Sequence, residues 1–192
     1  MTTPFDVVAV IGSLRRESLT RSLVRALTAM APASLRIEVA EIAQLTLFNP
    51  DLEDMPPTAW RNFRERIRRA DAVLFATPEY NRSIPGVLKN AIDVASRPYG
   101  ANAWAGKPAA IVSVSPGAMG AFGANHHLRQ ALVFLDMPTL QQPELYIGGA
   151  EKLLDASGNV MNPSTRQLFT QFLQAFEAWI GRPVRAAFSP LV

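Results

Sequence analysis

Apolar residues recur along this chain with two alternating periods. Short runs rich in β-branched residues read as buried strands, and between them lie longer stretches whose apolar positions fall three and four apart. Strands are expected at Phe5–Ile11, Leu35–Ala40, Ala72–Ala76 and Ala109–Val114, with a weaker one over Pro138–Ile147. Helices are expected at Ser18–Ala31, Pro57–Arg69, Pro85–Ser96, Asn125–Leu135 and Pro163–Ile180. Pro85 suits the first turn of its helix, and Asn162-Pro163 reads as an N-cap followed by a first helical proline. Gly181 and Pro183 stop the last helix.

Five apolar strands alternating with five helices predict a three-layer α/β sandwich, a five-stranded parallel sheet with helices on both faces. No internal repeat interrupts the pattern, so residues 1–192 read as one domain. In such a sheet ligands bind beyond the carboxyl ends of the strands. The turns after the first, third and fourth strands are therefore where function is expected: Gly12–Ser18, Thr77–Ile84 and Ser115–Ala124.

The first of these turns joins Val7-Val8-Ala9-Val10-Ile11 to Gly12-Ser13-Leu14-Arg15-Arg16-Glu17-Ser18. A buried strand ending in glycine, then hydroxyls and arginine at a helix start, suits a phosphate monoester. Ser13 and Ser18 can donate hydroxyl hydrogen bonds and Arg15 a charge-assisted one. Ser18 could instead be a plain N-cap with Arg15 merely exposed. Neither G-x-G-x-x-G nor the P-loop pattern is present, which argues against a standard dinucleotide or ATPase site.

The second turn, Pro78-Glu79-Tyr80-Asn81-Arg82-Ser83, is stiffened by Pro78 and Pro85. Exposed amides beside an aromatic ring could hold a flat heterocycle, although Tyr80 could equally be a core anchor. Glu79 has no partner in sequence that would make it an acid or base. In the third turn, Gly117 and Gly120 would allow close backbone approach to a ligand.

Composition narrows the chemistry further. The chain has no cysteine, which excludes disulfides, thiolate metal sites and a cysteine nucleophile. His126 and His127 are adjacent, a poor metal pair on a helix, and a surface or interface role is expected. Asp93 and Asp136 lie at no telling spacing from a histidine. So little acid–base machinery suits an enzyme whose cofactor carries the chemistry. The net charge is +3, and Arg61, Arg64 and Arg68 fall on one face of a helix. That face is expected to be solvated rather than bound to nucleic acid, because no aromatic residues interleave with the arginines. No apolar run approaches the roughly 20 residues that span a bilayer, and the N-terminus lacks a signal-peptide layout. A cytoplasmic protein without membrane contact is expected.

Four segments carry a family likeness: Gly12-Ser13-Leu14-Arg15, Thr77-Pro78-Glu79-Tyr80-Asn81, Pro85-Gly86-Val87-Leu88-Lys89-Asn90-Ala91-Ile92-Asp93 and Ala105-Gly106-Lys107-Pro108. With His127-Leu128-Arg129-Gln130 and Leu135-Asp136-Met137-Pro138, they resemble the NAD(P)H-dependent FMN reductases, a family that includes bacterial quinone, chromate and azo-dye reductases. The resemblance implies a flavodoxin-like fold and non-covalent FMN. Ser13, Arg15, Ser18 and Thr20 would hold its phosphate. Pro78, Glu79, Tyr80 and Asn81 would line the isoalloxazine ring, and Ser115 and Gly117 would close the other side. It also implies a homodimer or a homotetramer. Thr20 stands where many relatives have Asn, Gly120-Ala121-Phe122-Gly123 where some have Gly-Gly-Ala-Arg, and Arg82 where an aromatic residue is common.

The expected activity is hydride transfer from NADPH or NADH through FMN N5 to a quinone, flavin, azo or chromate acceptor, by a ping-pong mechanism. Two other classes fit the same fold: a flavodoxin-like electron carrier without nicotinamide turnover, and a flavin-free regulatory module. Such carriers tend to be acidic, unlike this chain.

Overall fold

A computed structural model of the chain describes residues 3–182. Pro183, expected to help end the last helix, lies outside them. The elements run β1 (Phe5–Ile11), α1 (Leu19–Met30), β2 (Leu35–Ala40), α2 (Thr58–Arg69), β3 (Ala72–Thr77), α3 (Gly86–Ala95), β4 (Ala109–Val114), α4 (Phe122–Phe134), β5 (Leu145–Ile147) and α5 (Pro163–Ile180). Two short 3-10 turns, Pro50–Leu52 and Ala150–Lys152, complete the set.

The five strands form one sheet in the order β2-β1-β3-β4-β5, every pair parallel. Val7 of β1 sits opposite Ala72 of β3, and Val73 of β3 opposite Ala109 of β4. Because strand side chains alternate between faces, each strand feeds two cores. Val8, Val10, Val73, Phe75 and Ile111 pack against α2, α3 and α4. Val7, Ala9, Ile11, Leu74 and Val112 pack against α1 and α5. This double burial is why the central strands are almost entirely apolar, with Thr77 and Ser113 the buried polar exceptions among the described residues of β3 and β4. The order reverses between β1 and β3, so a crevice opens at their carboxyl ends.

The ends of the elements follow local chemistry. Ser18 caps α1, its Oγ accepting from Arg21 N–H at 3.1 Å. Asn162 caps α5 through the N–H groups of Ser164 and Thr165. Pro85 occupies the N-cap position of α3 rather than its first turn.

Three expectations need correction. β5 spans only Leu145–Ile147; Thr139 makes an isolated bridge to Ala109, and Pro143, which lacks an N–H for a ladder, separates the two. α4 starts at Phe122, three residues early. The arginine face of α2 is not uniformly solvated. Arg64 is only 4% exposed, donates from Nε to Val94 O at 2.8 Å and lies over the Trp60 ring. Burial holds its pKa below the usual arginine value. Arg66 instead forks onto Asp6, at 2.8 and 2.9 Å.

Candidate functional site

At the carboxyl end of the sheet, the three expected turns meet around a cleft of about 120 Å³. Ser13, Arg15, Ser18 and Thr20 line it from the first turn and α1, Pro78, Glu79 and Tyr80 from the second, and Ser115 from the third. Leu19, Val114 and Pro116 complete the wall.

The first turn leaves its polar groups free. Ser13, Ser18 and Thr20 are buried residues. Among the described residues, no hydrogen bond engages Ser13 Oγ, Thr20 Oγ1 or the Arg15 guanidinium. Ser18 Oγ accepts from Arg21 and keeps its own proton to donate. The first turn of α1 holds no acidic residue, so none of its own side chains offsets the positive end of the helix at the cleft. N-capping and ligand donation are thus compatible at Ser18. Gly12 lets this turn sit down on α3: a Cβ there would lie 3.1 Å from Leu88 Cδ2.

The second turn is built differently. Tyr80 and Ser83 exchange both backbone hydrogen bonds, at 2.9 and 3.0 Å. Asn81 and Arg82 lie between them at φ 52° and 63°. That is a two-residue type I′ turn, which requires positive φ at both central positions. The amides of Tyr80 and Ser83 are therefore spent inside the turn. Tyr80 is not a core anchor; it is 49% exposed. Glu79 lines the cleft, but its carboxylate accepts from Ala124 N–H at 2.9 Å and faces Arg82 at 3.3 Å. Asn81, at the turn tip, does not line this cleft.

In the third turn Ser115 Oγ donates to Gly117 O at 2.9 Å. Gly117 does not line the cleft. The glycine that close packing demands is Gly120, at φ 57°, where a Cβ would come 2.5 Å from Tyr146 C. Gly120 approaches the backbone of β5, not a ligand.

A second, larger groove of about 600 Å³ adjoins the first and shares Arg15 and Tyr80 with it. Its walls are Leu14, Ile42, Leu45, Leu47, Pro85 and Val87, with Asn90 among the lining residues. Sequence reasoning missed it because much of one wall comes from the connection after β2. The signal available was the length of that connection, 41–57, since long irregular loops in compact folds are uncommon. Asn90 secures it: Oδ1 accepts from Phe48 N–H at 2.7 Å, and Nδ2 donates to Leu45 O and Thr46 O, each at 3.1 Å. An asparagine between Leu88 and Ala91-Ile92 on a buried helix face was the readable hint.

The two histidines diverge as expected of neighbours on a helix. His127 Nδ1 lies 2.7 Å from Ser83 Oγ, and His126 Nε2 lies 3.0 Å from Tyr146 Oη. Burial, with the nearby Glu144, pushes the Tyr146 phenol up to about 12. Among the described residues no three His, Asp or Glu side chains gather as a metal site, and no helix is long and apolar enough to cross a membrane. Lys107 of Ala105-Gly106-Lys107-Pro108 lies at the opposite end of the sheet. Its Nζ donates to Arg68 O and Ala70 O, at 2.9 and 2.7 Å, closing the end of α2, and burial lowers its pKa.

Comparison with known proteins agrees with this geometry. The family described as NADPH-dependent FMN reductase matches residues 5–152. A quinone reductase of Pseudomonas putida is 58% identical over 181 residues, covering 94% of this chain and 97% of the relative. A 2-hydroxy-1,4-benzoquinone reductase of Burkholderia sp. is 42% identical, covering 91% of this chain and 95% of the relative. Among solved structures, the flavoenzyme NAD(P)H:(acceptor) oxidoreductase FerB of Paracoccus denitrificans superposes with a TM-score of 0.87 at 41% identity, covering 91% of this chain and 97% of that one. The cleft at the switch point of a flavodoxin-like sheet and these relatives lead to one assignment: the chain belongs to the NADPH-dependent FMN reductase family of oxidoreductases, for which FMN and NAD(P)H are the fitting cofactor and hydride donor.

Proposed function

We propose that this protein is an FMN-dependent NAD(P)H:quinone oxidoreductase working by a ping-pong mechanism. The observation that carries the reading is the unspent set of donors in the first turn. Ser13 Oγ, Thr20 Oγ1, Arg15 and the free proton of Ser18 surround the N-terminus of α1, and they fit a phosphate monoester in number and charge. Thr20 adds a hydroxyl to this set.

FMN bound there would supply the redox chemistry, accepting a hydride at N5 from NAD(P)H and returning two electrons to the acceptor. The residues of this chain bind and orient. Pro78, Glu79 and Tyr80 would form one wall beside the ring and Ser115 the other, while Asn81 and Gly117 shape the turns that carry those walls. No side chain of the cleft has to pass a proton during the hydride step. The adjoining apolar groove is of the size that commonly receives small organic ligands and gives a quinone ring room beside Tyr80. One open slot serving donor and acceptor in turn would impose ping-pong order and admit quinone, flavin, azo or chromate acceptors.

Cytoplasmic residence and homodimer or homotetramer assembly belong to the same proposal. Val133 and Phe134 leave an exposed apolar end on α4 that a second copy would cover, and light scattering on the eluting peak reads the assembly directly. The decisive experiment is steady-state NADH and NADPH oxidation by the purified yellow protein with a benzoquinone. Parallel double-reciprocal lines are expected. A colourless protein that neither takes up FMN nor oxidises either nucleotide would overturn the proposal, and flavin binding without nicotinamide turnover would make it an electron carrier.

A further inference from the structure

Helix α4 begins without a cap of its own. Its N-cap residue, Ala121, has no side-chain oxygen and lies at φ 60°. A helix start leaves N–H groups that need acceptors. The acceptor here comes from another element, Glu79 Oε2, at 2.9 Å from Ala124 N. Gly123 makes room for it: a Cβ at that position would lie 2.9 Å from the same Oε2 and 3.3 Å from Arg82 O. One helical turn on, His127 Nδ1 meets Ser83 Oγ at 2.7 Å. Glu79 and Ser83 flank the type I′ turn, and Ala124 and His127 are three apart on α4. The turn is therefore held at both ends against one face of the helix. The turn at 115–121 runs directly into α4, so this contact links both walls of the cleft.

We infer that Glu79 is a positioning residue: its carboxylate caps α4 from outside and, with the Ser83–His127 pair, sets the spacing of the two cleft walls before any ligand enters. The contact itself stands on geometry alone; its consequence for FMN rests on the function proposed above. With one oxygen on Ala124 and the other on Arg82, the carboxylate is occupied as a structural acceptor rather than held ready as an acid or base. A cleft formed in advance binds more tightly because less has to be ordered on binding.

The test uses the purified full-length protein and three variants, Glu79→Ala, Glu79→Gln and Gly123→Ala. Amide hydrogen exchange of segments 78–84 and 119–128 is measured on the FMN-free protein, and FMN affinity by fluorescence titration. Loss of an N-cap acceptor predicts about fivefold to tenfold faster exchange at the start of α4 for Glu79→Ala, with FMN binding weakened by a similar factor. Glu79→Gln, whose amide oxygen can still accept from Ala124, restores most of both. Gly123→Ala reproduces the Glu79→Ala behaviour with the carboxylate intact, and with Glu79→Gln it keeps the test open if Glu79→Ala does not fold. Unchanged exchange in Glu79→Ala and Gly123→Ala would overturn the inference. So would equal loss of FMN in Glu79→Ala and Glu79→Gln with exchange unaltered, which would make Glu79 a direct charge contact. Faster exchange in a protein whose wild type takes up no FMN would uphold the cap and overturn the proposed function instead.

Discussion

The turns after β1 and β3 lie side by side in the cleft and are built on opposite plans. The first spends almost nothing on itself. The side chains of Ser13, Thr20 and Arg15 make no hydrogen bond within the described residues, and the Ser18 hydroxyl uses only an acceptor lone pair. The second spends nearly everything. Tyr80 and Ser83 satisfy each other, Glu79 serves α4, and Ser83 serves His127. Free donors at a helix start cost stability unless something binds there, whereas a self-satisfied turn keeps its shape alone. The difference separates a turn that recognises charge from one that supplies a surface. Under the proposed function, that difference would let one fold anchor a phosphate firmly while leaving the acceptor side open.

The sharpest way to break this comparison is Ser18→Asp. Aspartate caps a helix as well as serine does, so thermal stability should hold within about 0.5 kcal/mol. A carboxylate beside the phosphate would repel it, and FMN affinity should fall at least about 100-fold. If affinity survives in fluorescence titration, the first turn is a helix start and not a phosphate site. Next in size is Asn90→Ala, which probes the groove wall. It leaves Phe48 N–H and Leu45 O without their side-chain partner, and Thr46 O with Trp60 Nε1 alone. A stability loss of about 2–3 kcal/mol is expected, lowering Tm by roughly 4–12 °C for a chain of this size. A shift under about 1 °C would show that the connection after β2 does not depend on it.

How much of this could be read from the sequence depends on whether a residue's partner was near it in the chain. The central strands were legible because burial on both faces leaves no polar position in Ala72–Ala76 and only Ser113, whose hydroxyl is satisfied by Gly120 O, in Ala109–Val114. Ser18 and Asn162 were legible as helix starts because each caps a donor two or three residues away. The gathering of Ser13, Arg15, Ser18 and Thr20 on one cleft was legible because they lie within eight positions of one another. Glu79 was not, because it acts on Ala124, 45 residues later. The early start of α4 was hidden for the same reason, since its capping oxygen belongs to another element. Arg64 looked like part of a solvated stripe because nothing local shows that Val94 O, 30 residues on, takes its Nε. Part of the family motif also turned out to be architectural: Lys107 closes α2 at the far end of the sheet.

A smaller effect sharpens the second half of the comparison. Arg82 holds φ 63°, a conformation that costs an ordinary residue about 1 kcal/mol or more. Asn-Gly is the preferred pair for this turn type. Arg82→Gly should therefore stabilise the protein by about 0.5–1 kcal/mol, since the lost ion pair to Glu79 is long at 3.3 Å and exposed on the arginine side, and Glu79 keeps its bond from Ala124 N–H. FMN affinity should change less than twofold. A large loss of affinity on thermal and fluorescence measurements would mean that the arginine, and not only the turn it sits in, serves the ligand.

The smallest effect is confined to alkaline pH and concerns the two histidines, which repeat the contrast on one helix. His127 is tied to the β3 turn, His126 to Tyr146 of β5. The Tyr146 phenol is pushed up to about 12, first by burial and then by Glu144, from about 10 in an unfolded chain. A phenol whose folded pKa is raised contributes stability that is fully present below pH 10 and is lost as pH rises from 10 to 12. Tyr146→Phe removes that titration. Its Tm should fall less steeply than the wild type's between pH 10 and 12, and the difference in tyrosinate absorbance between the two proteins should titrate near 12. FMN affinity near neutral pH should stay within twofold, because Tyr146 braces the outer side of α4 while the turn clamp lies on the other. A Tyr146→Phe protein that lost flavin as readily as Glu79→Ala would show that both faces of α4 set the cleft, and the contrast between the two histidines would dissolve.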